Sequence, residues 1–307
     1  MISTTTALFT ARAQYDLRTL SEQLAEMQRQ VAEGSIASDF KGFGAGATQL
    51  LTAQSLKSAA DTKNSLINQL GARFEVQGAA LQQVADGARA LALSIRTAIS
   101  ANDGRGITTD FELNFGTIVS ALNETWNGQP LFAGERLGKG PIKISSLAEL
   151  ASTPTTGDIF DEASRDQQVD VGTGSPLTVA KRASEMSQGL FDAMRSLKGL
   201  VDANNGVLGQ PIPQSQQDTL RQIASALDEQ ATAFNTESGR AGQVQAVLQR
   251  QATQLQNRSD LLTKEIGDQR DADPAQVAVK ISLLQTQYQA SAKIFADLSK
   301  LSLLNYL

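Results

Sequence analysis

The sequence predicts a mainly α-helical protein: a long antiparallel coiled-coil rod with both termini at one end and a small β-containing insert. Two observations support this fold class. Apolar residues recur at alternating spacings of three and four near both ends of the chain, a pattern typical of helices that pack on helices. Six of the seven prolines lie between residues 130 and 213, and proline breaks helix interiors. Long helices are therefore expected in the flanks and irregular structure in the middle.

Three helices are predicted in the first part of the chain. The first runs from about Thr4 to Glu33, and Gly34 stops it. The second runs from about Ala47 to Ala101, with a continuous three–four seam of apolar residues that ends at an Asn-Asp-Gly turn. A stripe that begins at Phe111 marks the third helix, which is expected to end near Gly128.

The middle segment has a different periodicity. Val169 and Val171, and then Leu177 and Val179, alternate with other residues around a Gly-Thr-Gly-Ser-Pro run. This alternation predicts a hairpin. Helical periodicity returns over residues 190–201 and again over residues 214–266.

The start of the last helix has a clear local signal. Asp273 can cap the helix and Pro274 suits its first position, because an N-cap side chain accepts backbone hydrogen bonds and proline needs none. The last helix is therefore predicted to run from here to about Asn305.

The three–four spacing places one narrow apolar stripe, here called a seam, on the first helix and one on the last. These two terminal seams are the candidate functional site. A lone pair of helices buries few apolar residues, so such ends can complete their burial against neighbouring subunits. The pattern alone leaves open an ordinary intramolecular pair and an assembly interface. The predicted interface residues are Leu17, Leu20, Leu24, Met27, Val31, Val277, Ile281, Leu284, Tyr288, Phe295, Leu298, Leu301 and Leu304.

Composition argues against several classes of function. Cysteine and histidine are both absent, which removes thiolate chemistry, the commonest metal ligand and the commonest general base. The net charge of −5 comes without a basic patch for nucleic acid, and no run approaches the ~18 apolar residues of a membrane span. We therefore predict that the protein is not an enzyme, has no cofactor or metal, and binds neither nucleic acid nor membrane.

Local motifs that could hold a ligand have plainer explanations. The glycines of residues 42–46 follow no strand and precede no Gly-Lys-Ser/Thr sequence, so they predict a helix-breaking turn. The aspartates of residues 268–273 lack the spacing of a calcium loop and indicate a helix cap. The acidic residues between 158 and 166 are expected in a solvated loop.

Three stretches resemble the motifs of one protein family. Residues 34–39 are Gly-Ser-Ile-Ala-Ser-Asp, residues 127–134 are Asn-Gly-Gln-Pro-Leu-Phe-Ala-Gly, and residues 271–277 are Asp-Ala-Asp-Pro-Ala-Gln-Val. With these stretches the chain resembles the bacterial flagellin family over roughly residues 1–134 and 185–307. Its ending, residues 298–307, is more similar to the hook-associated members that form the hook–filament junction than to filament flagellins.

The resemblance implies a structural subunit of the bacterial flagellum, a junction adaptor between hook and filament assembled through its terminal helices. It implies an extracellular location, reached through the flagellar type III channel without a cleaved signal peptide. The implied partners are further copies of the chain, the hook-side junction protein, flagellin and an export chaperone. A filament flagellin remains an alternative, as does a surface adhesin or glycan-binding protein built on a flagellin scaffold.

The predicted domain organisation has three parts. Residues 1–45 and 267–307 form a terminal coiled-coil assembly region. Residues 46–134 and 185–266 form a long-helix rod domain, and residues 135–184 form a small β-containing variable insert.

Overall fold

The fold is mainly helical. A computed structural model describes residues 2–172 and 176–304, with the side-chain surroundings of residues 8, 9, 11–172 and 176–297. The predicted fold class, with long antiparallel helices and a small sheet-containing insert, is confirmed. The described helices are α1 Ile2–Glu33, α2 Gly46–Ala101, α3 Ile107–Leu122, α4 Leu147–Ser152, α5 Ala183–Asp202, α6 Gln214–Arg270 and α7 Pro274–Leu304, with a 3-10 helix at Thr156–Ile159.

Four short strands form two separate antiparallel pairs. β1 Thr125–Trp126 pairs with β2 Gln129–Pro130, and β3 Gln167–Val169 pairs with β4 Leu177–Ala180. The second pair is the hairpin predicted from the alternation that begins at Val169, and residues 173–175 of its turn lie outside the described ranges.

The chain forms two compact units. The terminal unit comprises Met1–Asp61 and Gln256–Leu307, and the central unit comprises Thr62–Leu255. α2 and α6 contribute residues to both units. The three-part division given above stays a prediction.

In the terminal unit, α1 packs on α7, and the start of α2 packs on the end of α6. The second contact buries Leu50 and Ala53 of α2 against Ile266 of α6. Two polar bonds fix its register: Gln49 Nε2 donates to Glu265 Oε1 across 3.1 Å, and Ser259 Oγ donates to Asp61 Oδ1 across 2.5 Å. Both helix pairs are antiparallel, because the end of one helix meets the start of the other.

The core of the central unit is built by α2, α3, α5 and α6. Phenylalanine rings form a chain of edge-to-face contacts through it, with ring centroids 5.8–6.5 Å apart. This geometry places positive ring edges against negative ring faces. The rings belong to Phe111, Phe115, Phe191 and Phe160.

A second apolar cluster in the central unit holds the β3–β4 hairpin. Phe74 of α2 and Leu248 of α6 are buried together with Val171 and Val179. The insert is thus anchored on the α2–α6 pair by the residues whose alternation predicted its strands.

The third helix is shorter than predicted. α3 ends at Leu122 rather than near Gly128, because the chain turns there into the β1–β2 hairpin. Asn127 and Gly128 form the two-residue turn with φ values of 51° and 74°. Asn-Gly is a strong signal for such a hairpin turn, because both central residues need positive φ, and the prediction did not use it.

Candidate assembly interface

The α1 seam faces inward. Leu17, Leu20, Leu24 and Met27 are half-buried, whereas most of their neighbours on α1 are exposed. Val31, the last member of the predicted set, is exposed. The three–four spacing therefore identified the packed face of α1 over most of its length.

The α7 seam is its counterpart. Val277 is buried, and Ile281, Leu284 and Phe295 are half-buried. Tyr288 is exposed. The side chains of three predicted interface residues lie outside the described ranges, namely Leu298, Leu301 and Leu304.

The two seams belong to one helix pair. α1 and α7 pack against each other, and most of the predicted seam residues are less exposed than their neighbours on each helix. The structure thus brings together, within one subunit, residues predicted from opposite ends of the sequence. Most of the seam remains only half-buried, as expected when two helices pack without a third.

A backbone bridge closes one end of this helix pair. The Ile36 amide donates to the Arg270 carbonyl across 2.8 Å, and the Ala272 amide donates to the Gly34 carbonyl across 3.0 Å. Gly34 has φ +67° and ends α1, as predicted. Asp273 then caps α7 by accepting the backbone amide of Ala275 across 2.9 Å, which confirms its predicted role.

Side chains of α1 reinforce the bridge. Arg29 forms ion pairs with Glu26 and Glu33, and Gln30 Nε2 donates to the Ile36 carbonyl across 2.9 Å. Hydrogen bonding from the Arg29 guanidinium lowers the pKa of Glu26 to about 2. The α1 end therefore carries a charge-assisted network that supports the turn at residues 34–36.

The other faces of the two helices also expose apolar side chains. Leu8 and Tyr15 of α1 and Val279, Leu283 and Ile294 of α7 are all exposed. The seam prediction missed them because it followed a single stripe on each helix. The spacing of four between Val279 and Leu283 was the available signal for a second stripe.

The family-like stretch of residues 127–134 lies in the central unit. Gly134 has φ +61°, and a Cβ atom at this position would lie 2.2 Å from the Arg165 carbonyl oxygen. Nearby, the buried Arg73 donates from Nη2 to the Pro130 carbonyl across 3.4 Å and to Gln167 Oε1 across 3.1 Å. Arg73 thereby connects β2 to β3, while its buried Nε has no hydrogen-bond partner among the described residues.

The acidic residues of the insert differ from the solvated loop that was expected. Glu162 accepts from the Ser184 amide across 3.0 Å, and Asp166 accepts from the Arg182 amide across 3.2 Å, so both hold the start of α5. Hydrogen bonds from Thr155 lower the pKa of Asp158. These carboxylates have structural partners that the sequence pattern did not reveal.

The described residues bear on two further features, a metal site and a membrane span. No group of three His, Cys, Asp or Glu side chains among them is arranged to hold a metal ion. None of the described helices combines the length and hydropathy of a membrane span.

A comparison with protein families finds a match at the C-terminal end of the chain. Residues 224–307 match the bacterial flagellin C-terminal helical region, a stretch that contains all of α7 and most of α6. Over this stretch the chain is similar to flagellins. The resemblance predicted from the sequence is confirmed, and a relation to structural proteins argues against an enzymatic role.

Solved structures share the fold of this flagellin-like chain. One is from Vibrio parahaemolyticus and is assigned as a flagellar hook-associated protein; it has 16% identity and a TM-score of 0.59, with 76% of this chain and 100% of that chain covered. Another is Bacillus cereus FlgL, with 9% identity, a TM-score of 0.54, and coverage of 70% and 97% respectively. No curated protein matches the sequence.

Proposed function

We propose that this chain is a structural subunit of the bacterial flagellum that joins the hook to the filament and assembles through its terminal helices. One observation carries the proposal: a flagellin C-terminal helical region ends in α7, and α7 pairs with α1 along a seam that stays half-buried. The fold shared with hook-associated proteins favours the junction over other flagellar positions.

The energetics of the seam support assembly. Complete burial of a leucine side chain is worth roughly 1.5–3 kcal/mol, and Leu20, Leu24 and Leu284 gain only part of this in a two-helix pair. Neighbouring subunits would supply the remainder. Heterologous contacts of this kind produce rings or open helical assemblies, depending on whether the rotation closes.

Partners and location follow from this role. We assign as partners further copies of the chain, the hook-side junction protein, flagellin and an export chaperone that covers the seam before assembly. The protein is then extracellular and leaves the cell through the flagellar export channel. Its role is structural and not enzymatic.

An adhesin built on the same scaffold has less support. Phe160 is the only aromatic residue between positions 135 and 184, and its side chain is buried in the core. The insert therefore lacks an aromatic surface on which a sugar could stack. A filament flagellin remains the competing role within the same class.

Immunolabelling of intact flagella tests the position of the chain. A single site between hook and filament is expected, and labelling along the filament would overturn the junction role in favour of a flagellin.

A pair of variants tests the seam. Leu284→Asp places a charge in the seam and should remove the chain from isolated flagella, whereas Gln285→Asp adds the same charge at an exposed position of α7 and should leave incorporation unchanged. Incorporation of Leu284→Asp at the wild-type level would show that the seam is not an assembly interface.

A further inference from the structure

The central unit has an open groove between α2 and α3. Two compartments of about 590 and 490 Å³ share Ala90 and Asn114 in their lining, so they form one continuous feature. Leu93 of α2 lines the groove and is 62% exposed. It gives the wall of the groove a large apolar side chain that the isolated subunit leaves uncovered.

Three aspartates line the groove, namely Asp86, Asp103 and Asp110. Asp110 accepts a hydrogen bond from Ser94, and Asp86 lies 3.7 Å from Arg89 with 61% of its side chain exposed. Asp103, at the end of the groove, is already paired with Arg105. Asp110 is exposed and has no ion pair among the described residues. Asp86 stays 61% exposed although Gln82 and Arg89 contact it, so a basic partner can approach both carboxylates.

A complementary stripe lies on the outer face of α6 in the same unit. Arg240, Val247 and Arg250 are all exposed, and Val247 is exposed to 47%. Arg240 lies 3.4 Å from Glu237. Arg250 has no ion pair or hydrogen bond with any described residue. Along α6 the stripe carries the Arg240 guanidinium, then the Val247 side chain, then the Arg250 guanidinium.

The spacings of the groove and the stripe agree. Asp86 precedes Leu93 by seven residues, and Arg240 precedes Val247 by seven, which is about 10.5 Å along a helix in each case. Ser94, the residue after Leu93, donates a hydrogen bond to Asp110, so the Asp110 carboxylate lies just beyond Leu93 along the groove. Arg250 follows Val247 by three residues, about 4.5 Å, within reach of an arginine side chain.

We propose that the α2–α3 groove of one copy binds the α6 stripe of a second copy. Arg240 then pairs with Asp86, Val247 packs beside Leu93, and Arg250 pairs with Asp110. The contact is heterologous, because the groove and the stripe are different surfaces, so it propagates from copy to copy. It rests on the assembly proposed above and adds to the terminal seam a contact made by the central unit.

One subunit cannot satisfy this pairing by itself. The Arg96–Asp228 ion pair sets Leu93 beside the part of α6 near residue 231. Val247 is sixteen residues further along α6, about 24 Å at 1.5 Å per residue. A disulfide requires Cα atoms less than about 7 Å apart, so a bond between positions 93 and 247 reports contact between copies.

Cross-linking tests the proposal cleanly because the chain has no cysteine. Flagella would be isolated from cells whose only copy carries Leu93→Cys and Val247→Cys, oxidised, and examined under non-reducing denaturing conditions. The double variant is expected to give a ladder of dimers, trimers and higher multimers, and each single variant is expected to give none.

Three outcomes are distinguishable. A ladder in the double variant alone supports the docking. If the chain is present in flagella but gives no ladder, the docking is wrong and the proposed function still stands. Absence of the wild-type chain from flagella overturns the proposed function and the docking with it.

Charge reversal gives a second readout in the same double-cysteine chain. Arg250→Asp and Asp110→Arg should each lower the ladder yield at least about threefold, because each places like charges together, and their combination should restore it. Lys139→Asp makes the same charge change at an exposed loop position and should leave the yield unchanged. Loss of yield without restoration in the combined variant would contradict the pairing.

Discussion

The Ala272 backbone amide donates to the Gly34 carbonyl across 3.0 Å, and this bond joins two of the three flagellin-like stretches. Residues 34–39 follow α1 and residues 271–277 lead into α7, so the bond fixes how the two terminal helices begin their pairing. The conformation of Gly34 makes the bond possible, since its positive φ turns the chain sharply after α1.

Gly34→Ala should loosen this bridge. A Cβ atom at Gly34 would meet nothing within 4 Å, so the cost is conformational and amounts to about 1–2 kcal/mol for a non-glycine residue at positive φ. Native-state amide exchange at Ile36 and Ala272 should accelerate by about 5- to 30-fold. Gly46→Ala, at the start of α2 and also unobstructed, is the control and should change little. Equal exchange in the two variants would contradict the role of Gly34.

Leu284→Ala should weaken the pairing of α1 with α7 within one subunit. Leu284 is half-buried in the seam, and its truncation should cost about 1–2 kcal/mol, less than for a fully buried leucine. Its neighbour Leu283 is exposed, so Leu283→Ala should stay within about 0.5 kcal/mol. Limited proteolysis of α7 in the monomer measures the difference, and similar cleavage rates would show that the seam is not formed before assembly.

Gly134→Ala should be among the most destabilising substitutions in the central unit. The new Cβ atom would combine a positive φ with a 2.2 Å approach to the Arg165 carbonyl, at a cost of about 3 kcal/mol or more. Gly128→Ala has the positive φ without the clash and should cost about 1–2 kcal/mol. Urea unfolding followed by the fluorescence of Trp126, the single tryptophan, compares them, and a smaller loss in Gly134→Ala would contradict the close packing.

Arg73→Met should not destabilise the central unit. Burial lowers the pKa of Arg73, and its hydrogen bonds go to neutral oxygens of Pro130 and Gln167. Replacing a buried charge by an apolar side chain of similar length is often neutral or stabilising; a change between zero and a gain of about 2 kcal/mol is expected in urea unfolding. Gln167→Met removes a partner and leaves the charge buried, and it should cost about 1–3 kcal/mol. A loss above about 2 kcal/mol in Arg73→Met would contradict the argument.

The Glu26 carboxyl should titrate near pH 2. Its pKa is depressed by Arg29 from an ordinary value of 4.5 to about 2, so the stabilisation is complete above pH 4.5 and is lost as the pH falls toward 2. A carboxyl carbon NMR titration measures the midpoint directly. In Arg29→Gln the midpoint should return toward 4.5. A wild-type midpoint near 4.5 would show that the ion pair does not form in solution.

Local signals predicted the helices and one cap well. The spacing of Leu17, Leu20 and Leu24 identified the packed face of α1, and Asp273 was recognised as the cap of α7. Both depend on residues within one or two turns of helix, where sequence and structure are directly linked. The β1–β2 hairpin carried an equally local signal in Asn127-Gly128. The signal was not used because the apolar periodicity of α3 led to a helix that was predicted to continue to about Gly128.

The sequence by itself determined the long helical segments and which face of each terminal helix is apolar, because helical periodicity repeats every few residues. Only the tertiary structure decided that the two seams face each other, that Glu162 and Asp166 hold the start of α5, and that Leu93, Leu113 and Val247 remain exposed. These outcomes depend on contacts between residues far apart in the chain. A spacing pattern records that a side chain prefers burial, and the packing of the whole chain decides what covers it.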